Sequence, residues 1–117
     1  MSMNKNSINR VYLIGHLGNK PEGRYTPSGR PTAGFSLATN ETWKNSAGEQ
    51  VEHTEWHHVV VWDGLADFVT EYLDKGDLVA IEGRIHSRSW ENKDGQTIKI
   101  TEIVASSVVS LKGKRGD

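Results

Sequence analysis

The chain has no cysteine. That excludes a disulfide framework, thiolate metal sites and a cysteine nucleophile, and it suits a reducing compartment. No apolar run approaches the roughly 18 residues needed to cross a bilayer. Met1-Ser2-Met3-Asn4-Lys5-Asn6 lacks the apolar segment of a signal peptide. The expectation is a soluble protein that stays where it is made, with no membrane partner. A basic excess is missing too: 14 Lys and Arg stand against 15 Asp and Glu, a net charge of −1. Alone, this weighs against a nucleic-acid binder, which usually carries a basic footprint.

The distribution of charge changes that picture. Asp63, Asp67, Glu71, Asp74 and Asp77 crowd into residues 63–77 with Lys75 as the one cation. Outside that segment 13 basic residues face 10 acidic ones, so the remaining surface leans basic. The length of 117 residues suits one domain with a core of its own. Residues 1–111 are read as that domain, and Lys112-Gly113-Lys114-Arg115-Gly116-Asp117 as a short, basic, disordered tail.

One stretch organises the rest. Thr54-Glu55-Trp56-His57-His58-Val59-Val60-Val61-Trp62 is β-branched and aromatic, with no Gly or Pro, and reads as a strand. Alternation puts Trp56, His58, Val60 and Trp62 on one face and Glu55, His57, Val59 and Val61 on the other. The tryptophan face is either a core wall or a stacking platform.

Before it, residues 8–17 read as a first strand in which Gly15 suggests a bulge or bend. A turn over 18–23 and a short extended piece at 24–26 follow. A second strand spans 33–40 and continues through Trp43 into a polar loop over 44–52. After the central strand, Asp63 reads as a helix N-cap. Leu65, Phe68, Val69, Tyr72 and Leu73 carry a helical period, with Asp63, Asp67, Glu71 and Asp74 on the opposite side and Gly76 as the C′ stop. A fourth strand over 78–86 groups Val79, Ile81, Gly83 and Ile85 and runs on through Trp90. A turn at Asn92-Lys93-Asp94-Gly95 returns the chain as a fifth strand from 97, extended to 111.

Three strands, one helix and two strands is the order of an all-β protein with one helix, the five-stranded Greek-key OB-fold barrel with its helix between strands 3 and 4. A βαβ repeat would need alternating helices, and one is visible.

Four tryptophans accompany only two phenylalanines. A core would favour Phe, since a buried indole N–H needs a partner. Trp43 and Trp90 border the two longest polar loops, and Trp56 and Trp62 flank His58. Cations sit nearby: Lys44 beside Trp43, and Arg88 and Lys93 around Trp90. Aromatic platforms bind bases without reading sequence, at roughly 1–3 kcal/mol per stacked base, and interleaved cations follow the phosphates. The core alternative stays open for Trp56 and Trp62.

At these residues the chain resembles the bacterial single-stranded DNA-binding protein family of the homotetrameric OB-fold type. The resemblance rests on Asn9-Arg10-Val11, Leu13-Ile14-Gly15-His16-Leu17-Gly18, Pro21-Glu22 and Arg24-Tyr25-Thr26-Pro27-Ser28-Gly29. It continues through Phe35-Ser36-Leu37-Ala38-Thr39-Asn40-Glu41-Thr42-Trp43, Thr54-Glu55-Trp56-His57, Leu65-Ala66, Glu71-Tyr72-Leu73-Asp74-Lys75-Gly76 and Ile81-Glu82-Gly83. It implies that Trp43, Trp56, Trp62 and Trp90 stack bases and that Arg10, Arg24, Lys75 and Arg88 take phosphates. His57 would lie at a subunit contact. Binding and protection of single-stranded DNA in replication, recombination and repair, in the bacterial cytoplasm and nucleoid, would be the function, with no cofactor.

Three departures stand out. His58 replaces a common arginine between two tryptophans, and is carried as a DNA-binding candidate. Asp63-Gly64 replaces a stretch that often carries lysine. The acidic C-terminal tip that recruits other proteins is absent, which puts partner recruitment in doubt.

Other chemistries fit less well. His53, Glu55 and His57 share a strand face, but His53 and His57 would lie about 13 Å apart, too far for one metal ion. No nucleophile elbow or phosphate loop is present, so an enzyme is not expected. The remaining alternative is an OB-fold protein-interaction module within a replication or primosome assembly.

Overall fold

The computed structural model describes residues 5–111. The sequence folds into β1 (Val11–Leu17), β2 (Glu22–Tyr25), β3 (Pro31–Lys44), β4 (Gln50–Trp62), α1 (Asp63–Tyr72), β5 (Leu78–Glu91) and β6 (Thr97–Ser110). The sheet runs β1-β5-β6-β4-β3-β2, and β1 also pairs with β3. That last pairing closes the five long strands into a barrel, with β2 as an edge strand beyond β3. Among the five barrel strands the helix lies between the third and the fourth, as expected for an OB-fold.

Closure depends on one small residue. A Cβ on Gly15 would stand 2.2 Å from the carbonyl oxygen of Ala38, so only glycine lets β1 approach β3 this closely. Gly15 thus makes a backbone contact between strands where a bulge or bend was anticipated. A register shift does occur elsewhere, between Glu82 and Gly83 against β6. There Ser107 pairs with Glu82 and Ala105 with Gly83, leaving Ser106 as the extra residue.

The core follows the alternation. Phe35 and Leu37 of β3, Val59 and Val61 of β4, and Val79 and Ile81 of β5 are all buried inside the barrel. Fully burying a side chain of this size is worth about 1.5–3 kcal/mol. Helix α1 covers one end with Ala66 and Val69, and Leu73 just beyond it is also buried. Ile85, grouped with Val79 and Ile81 by period two, is exposed because β5 has by then run past the barrel.

The helix boundaries differ from the sequence expectation. Trp62 is the N-cap and makes no side-chain cap hydrogen bond. Asp63 is the first helical residue, with a left-handed φ of 59°, and its carboxylate is engaged by Arg30 instead of capping. At the other end the helix stops at Tyr72, and Leu73 turns to extended backbone as its side chain enters the core. Asp74 is therefore outside the helix, where its N–H donates to the Asp77 carboxylate at 2.9 Å. Gly76, at φ 90°, instead shapes the return to β5 and donates to the carbonyl of Leu17 at 2.8 Å.

The largest revision concerns the polar segments. The loop expected over 44–52 is a tight turn between two long strands, since β3 and β4 pair out to Lys44 and Gln50. β5 and β6 likewise pair out to Glu91 and Thr97. Both turns are tied by an asparagine: Asn45 Oδ1 accepts from the N–H groups of Ala47 and Glu49, and Asn92 Oδ1 from those of Asp94 and Gln96. Trp43 and Trp90, on the expected strand continuations, consequently lie near the tips of projecting hairpin arms. The segment 112–117, read as a basic tail, lies outside the described residues.

Candidate nucleic-acid interface

β4 sorts its side chains as the period-two pattern requires. Val59 and Val61 are 0% exposed, whereas Trp56 on the opposite face is 58% exposed. His58 is exposed, and Val60 and Trp62 are half-buried on that same outer face. The core is complete without the indoles, which decides between core wall and outer face. In register, Trp56 pairs with Ala38 and Trp62 with Thr32. The ring of Trp56 lies against Gly18, where a Cβ would come within 2.4 Å of its Cζ3.

A cleft of about 710 Å³ opens on this face. Arg24, His58, Trp62 and Arg88 line it together, with Asn19 and Ser36 in its wall. Asn19 Oδ1 accepts from both the N–H and the hydroxyl of Ser36, at 2.9 and 2.8 Å, holding the β1–β2 connection against β3. Two carboxylates share the lining: Glu22, exposed and 4.0 Å from Arg24, and Glu102, only 5% exposed, to which Arg88 Nε donates at 3.3 Å.

Trp62 also lines a second cleft of about 530 Å³, with Arg30, Arg84, His86, Arg88 and Glu102 around it. One indole thus lines both hollows, of which the second is the richer in cations. The guanidinium of Arg30 lies 4.4 Å from the centroid of the Trp62 ring, a cation–π contact. Its Nε and Nη2 donate to the two oxygens of Asp63 at 2.9 and 3.1 Å. This bidentate hydrogen bonding, with the opposite charge adding to it, holds the Asp63 carboxyl below the ordinary aspartate range and raises Arg30.

The remaining candidates are dispersed. Trp90 lies on the β5–β6 arm with the Arg88 guanidinium 5.2 Å from its ring centroid. Trp43 lies on the β3–β4 arm beside His53, with ring centroids 6.5 Å apart. Arg10 is held by an ion pair to Glu82 and lines neither cleft. Lys75 is exposed in the α1–β5 turn. His57 is half-buried on the core side of β4 and shares a 2.9 Å hydrogen bond with Thr39.

Arg30, Arg84 and His86 were missed by sequence reasoning. For two of them a signal exists, since Arg84, His86, Arg88 and Trp90 alternate along one outer face of β5. Arg30 had none, because it sits in a turn and reaches Trp62 only in three dimensions.

Residues 8–111 match the Single-strand binding protein family. The chain belongs to that family. It is 50% identical over 108 residues to single-stranded DNA-binding protein 1 of Chlorobaculum tepidum, covering 92% of this chain and 67% of the relative. It is 46% identical to the single-stranded DNA-binding protein of Neisseria meningitidis serogroup A, covering 92% of this chain and 62% of the relative. The chain therefore spans about two thirds of these proteins' length. Among solved structures, the Plasmodium falciparum SSB in complex with ssDNA aligns with a TM-score of 0.82 at 38% identity, over 93% of this chain and 99% of that one. A deletion mutant of the Thermus aquaticus single-stranded DNA binding protein aligns at 0.79 and 31% identity, over 93% and 52%. Family membership and OB barrel agree. No helix among the described residues is long and apolar enough to cross a membrane.

Proposed function

We propose that this chain binds single-stranded DNA without sequence preference, the activity for which its Chlorobaculum and Neisseria relatives are named. Bases stack on Trp43, Trp56, Trp62 and Trp90. Arg24, Arg88 and His58 meet the phosphates in the cleft, and Arg10 and Lys75 take phosphates outside it. The observation that carries this reading is the orientation of β4: its valines build the core, and its tryptophans and His58 are left to the outer face. Stacked bases cannot pair with one another, so coating protects exposed strands in replication, recombination and repair. No chemical step is involved, and the setting is the cytoplasm.

Self-association belongs to the same proposal, as a homotetramer with His57 at a subunit contact. Tyr12, 69% exposed, and Ile14 on β1 lie beside strand β5, and Val109 of β6 pairs with Ala80 on its other side. Such a run of exposed apolar side chains suits an interface. The folded domain is assigned to 1–111, with 112–117 as a basic extension.

Titration with oligo-dT tests the reading. Tryptophan fluorescence should be quenched in proportion to binding, and added salt should reverse it. Absence of quenching at low salt would overturn it, and so would cleavage of the oligonucleotide in magnesium. Light scattering with and without oligo-dT measures the assembly.

A further inference from the structure

We propose that Asp63 is a resident competitor for the nucleic-acid phosphate: its carboxylate occupies Arg30 over Trp62 until a strand displaces it. The proposal rests on the reading above, that Trp62 stacks a base. Three observations carry it. First, Arg30 is fully engaged in two places at once, stacked 4.4 Å from the Trp62 ring and bound in bidentate fashion by Asp63. A fork-to-fork pair of this kind is also the geometry in which arginine takes phosphate. Second, Asp63 sits at a left-handed φ of 59°, a conformation that L residues seldom adopt, and its side chain does not cap the helix. Backbone strain is accepted here, and the partner of the carboxylate is Arg30. Third, Trp62 stands between two clefts, and the second is lined by Arg30, Arg84, His86 and Arg88 against the single carboxylate Glu102.

A strand crossing Trp62 from one cleft to the other brings a phosphate to Arg30. The guanidinium exchanges Asp63 for that phosphate without leaving the indole. One anion replaces another on the same cation, so the phosphate is neutralised while Asp63 is left as a free charge beside the strand. The contact adds nothing to net charge neutralisation, and hence nothing to the salt dependence of binding.

Removing the competitor should expose the hidden contact. Asp63→Asn should bind oligo-dT about two- to fivefold more tightly at low salt, the range of an exposed ion pair. Its slope of log affinity against log salt should steepen by about 0.7, one phosphate on a single strand. Arg30→Ala supplies the control. In an Arg30→Ala background, Asp63→Asn should change neither affinity nor slope. Asp63→Gly, which takes the left-handed backbone freely, repeats the test should the asparagine variant fold poorly. An unchanged or weaker Asp63→Asn overturns the proposal, and so does a gain that persists without Arg30, which would reflect only a lost negative charge. Failure of the underlying reading looks different: wild type itself would show no quenching, or Trp62→Ala would bind like wild type.

Discussion

Gly18 and Trp56 occupy what would otherwise be the same space: a Cβ on the glycine would stand 2.4 Å from Cζ3 of the indole. The end of the first strand and the middle of the fourth are thereby coupled, and the position of one proposed base platform is set by an absent side chain. Gly18→Ala should displace the indole because the ring, being 58% exposed, can swing away. The expected outcome is a folded protein with shifted Trp56 emission and weaker oligo-dT binding. Fluorescence against a Trp56-only reference variant measures both.

The four tryptophans lie on one barrel strand and two hairpin arms, so their losses should differ. Single Trp→Ala variants at 43, 56, 62 and 90 should each cost up to about 1–3 kcal/mol of binding, the range for one stacked base. Since one strand visits several of them, the double variant Trp56→Ala with Trp62→Ala should fall short of the sum. Oligo-dT titrations of the single and double variants supply the comparison. Unchanged affinity in all four single variants would refute the platforms.

His58 faces the cleft with Arg24, Arg88, Trp62, Glu22 and the buried Glu102 around it. His58→Arg places a permanent charge there and should tighten oligo-dT binding and steepen its salt dependence. Unchanged affinity and salt slope would remove His58 from the interface.

The Arg30–Asp63 pair has a stability signature with a defined sign. The Asp63 carboxyl is held below its ordinary range by Arg30 in the folded chain. Its contribution is present above the unfolded aspartate value, about 3.9, and is lost as pH falls through the lower folded value. Arg30 is raised and stays charged throughout, so no alkaline counterpart arises below pH 10. Urea midpoints of wild type and Asp63→Asn should differ by a constant amount from pH 5 to 8 and converge in acid below pH 4.

Barrel closure should be the most sensitive backbone feature. In Gly15→Ala the new methyl meets the Ala38 carbonyl at 2.2 Å, and a backbone atom cannot swing aside. Destabilisation of about 1–3 kcal/mol or more is expected, the usual cost of overpacking. Denaturant unfolding measures it. Binding by the fraction that remains folded should change little.

Period-two alternation on the central strand was legible because burial enforces it: one slip would exchange the set Val59 and Val61 with the set Trp56, His58 and Trp62. The helix was legible for the same reason, through Leu65, Phe68, Val69 and Leu73, although Tyr72 of the same period is exposed and the buried Ala66 was not in it. Its ends were not, because Asp63 gives its carboxylate to a residue 33 positions earlier instead of to the cap. The hairpin arms were hidden by polar composition. Strands that project past the core need no apolar face, so the sequence carried β3 to Trp43 and β5 to Trp90 but read the start of β4, Gln50 to Glu52, as loop. Sequence by itself determined which residues of the central strand share a face, and the structure decided that the valine face is the barrel wall and the tryptophan face lies outside it. Only the tertiary structure decided that Arg30 reaches Trp62, that Arg88 folds onto Glu102, and that one indole lines two clefts. Contacts between residues far apart in the chain and free of core packing leave no periodicity behind.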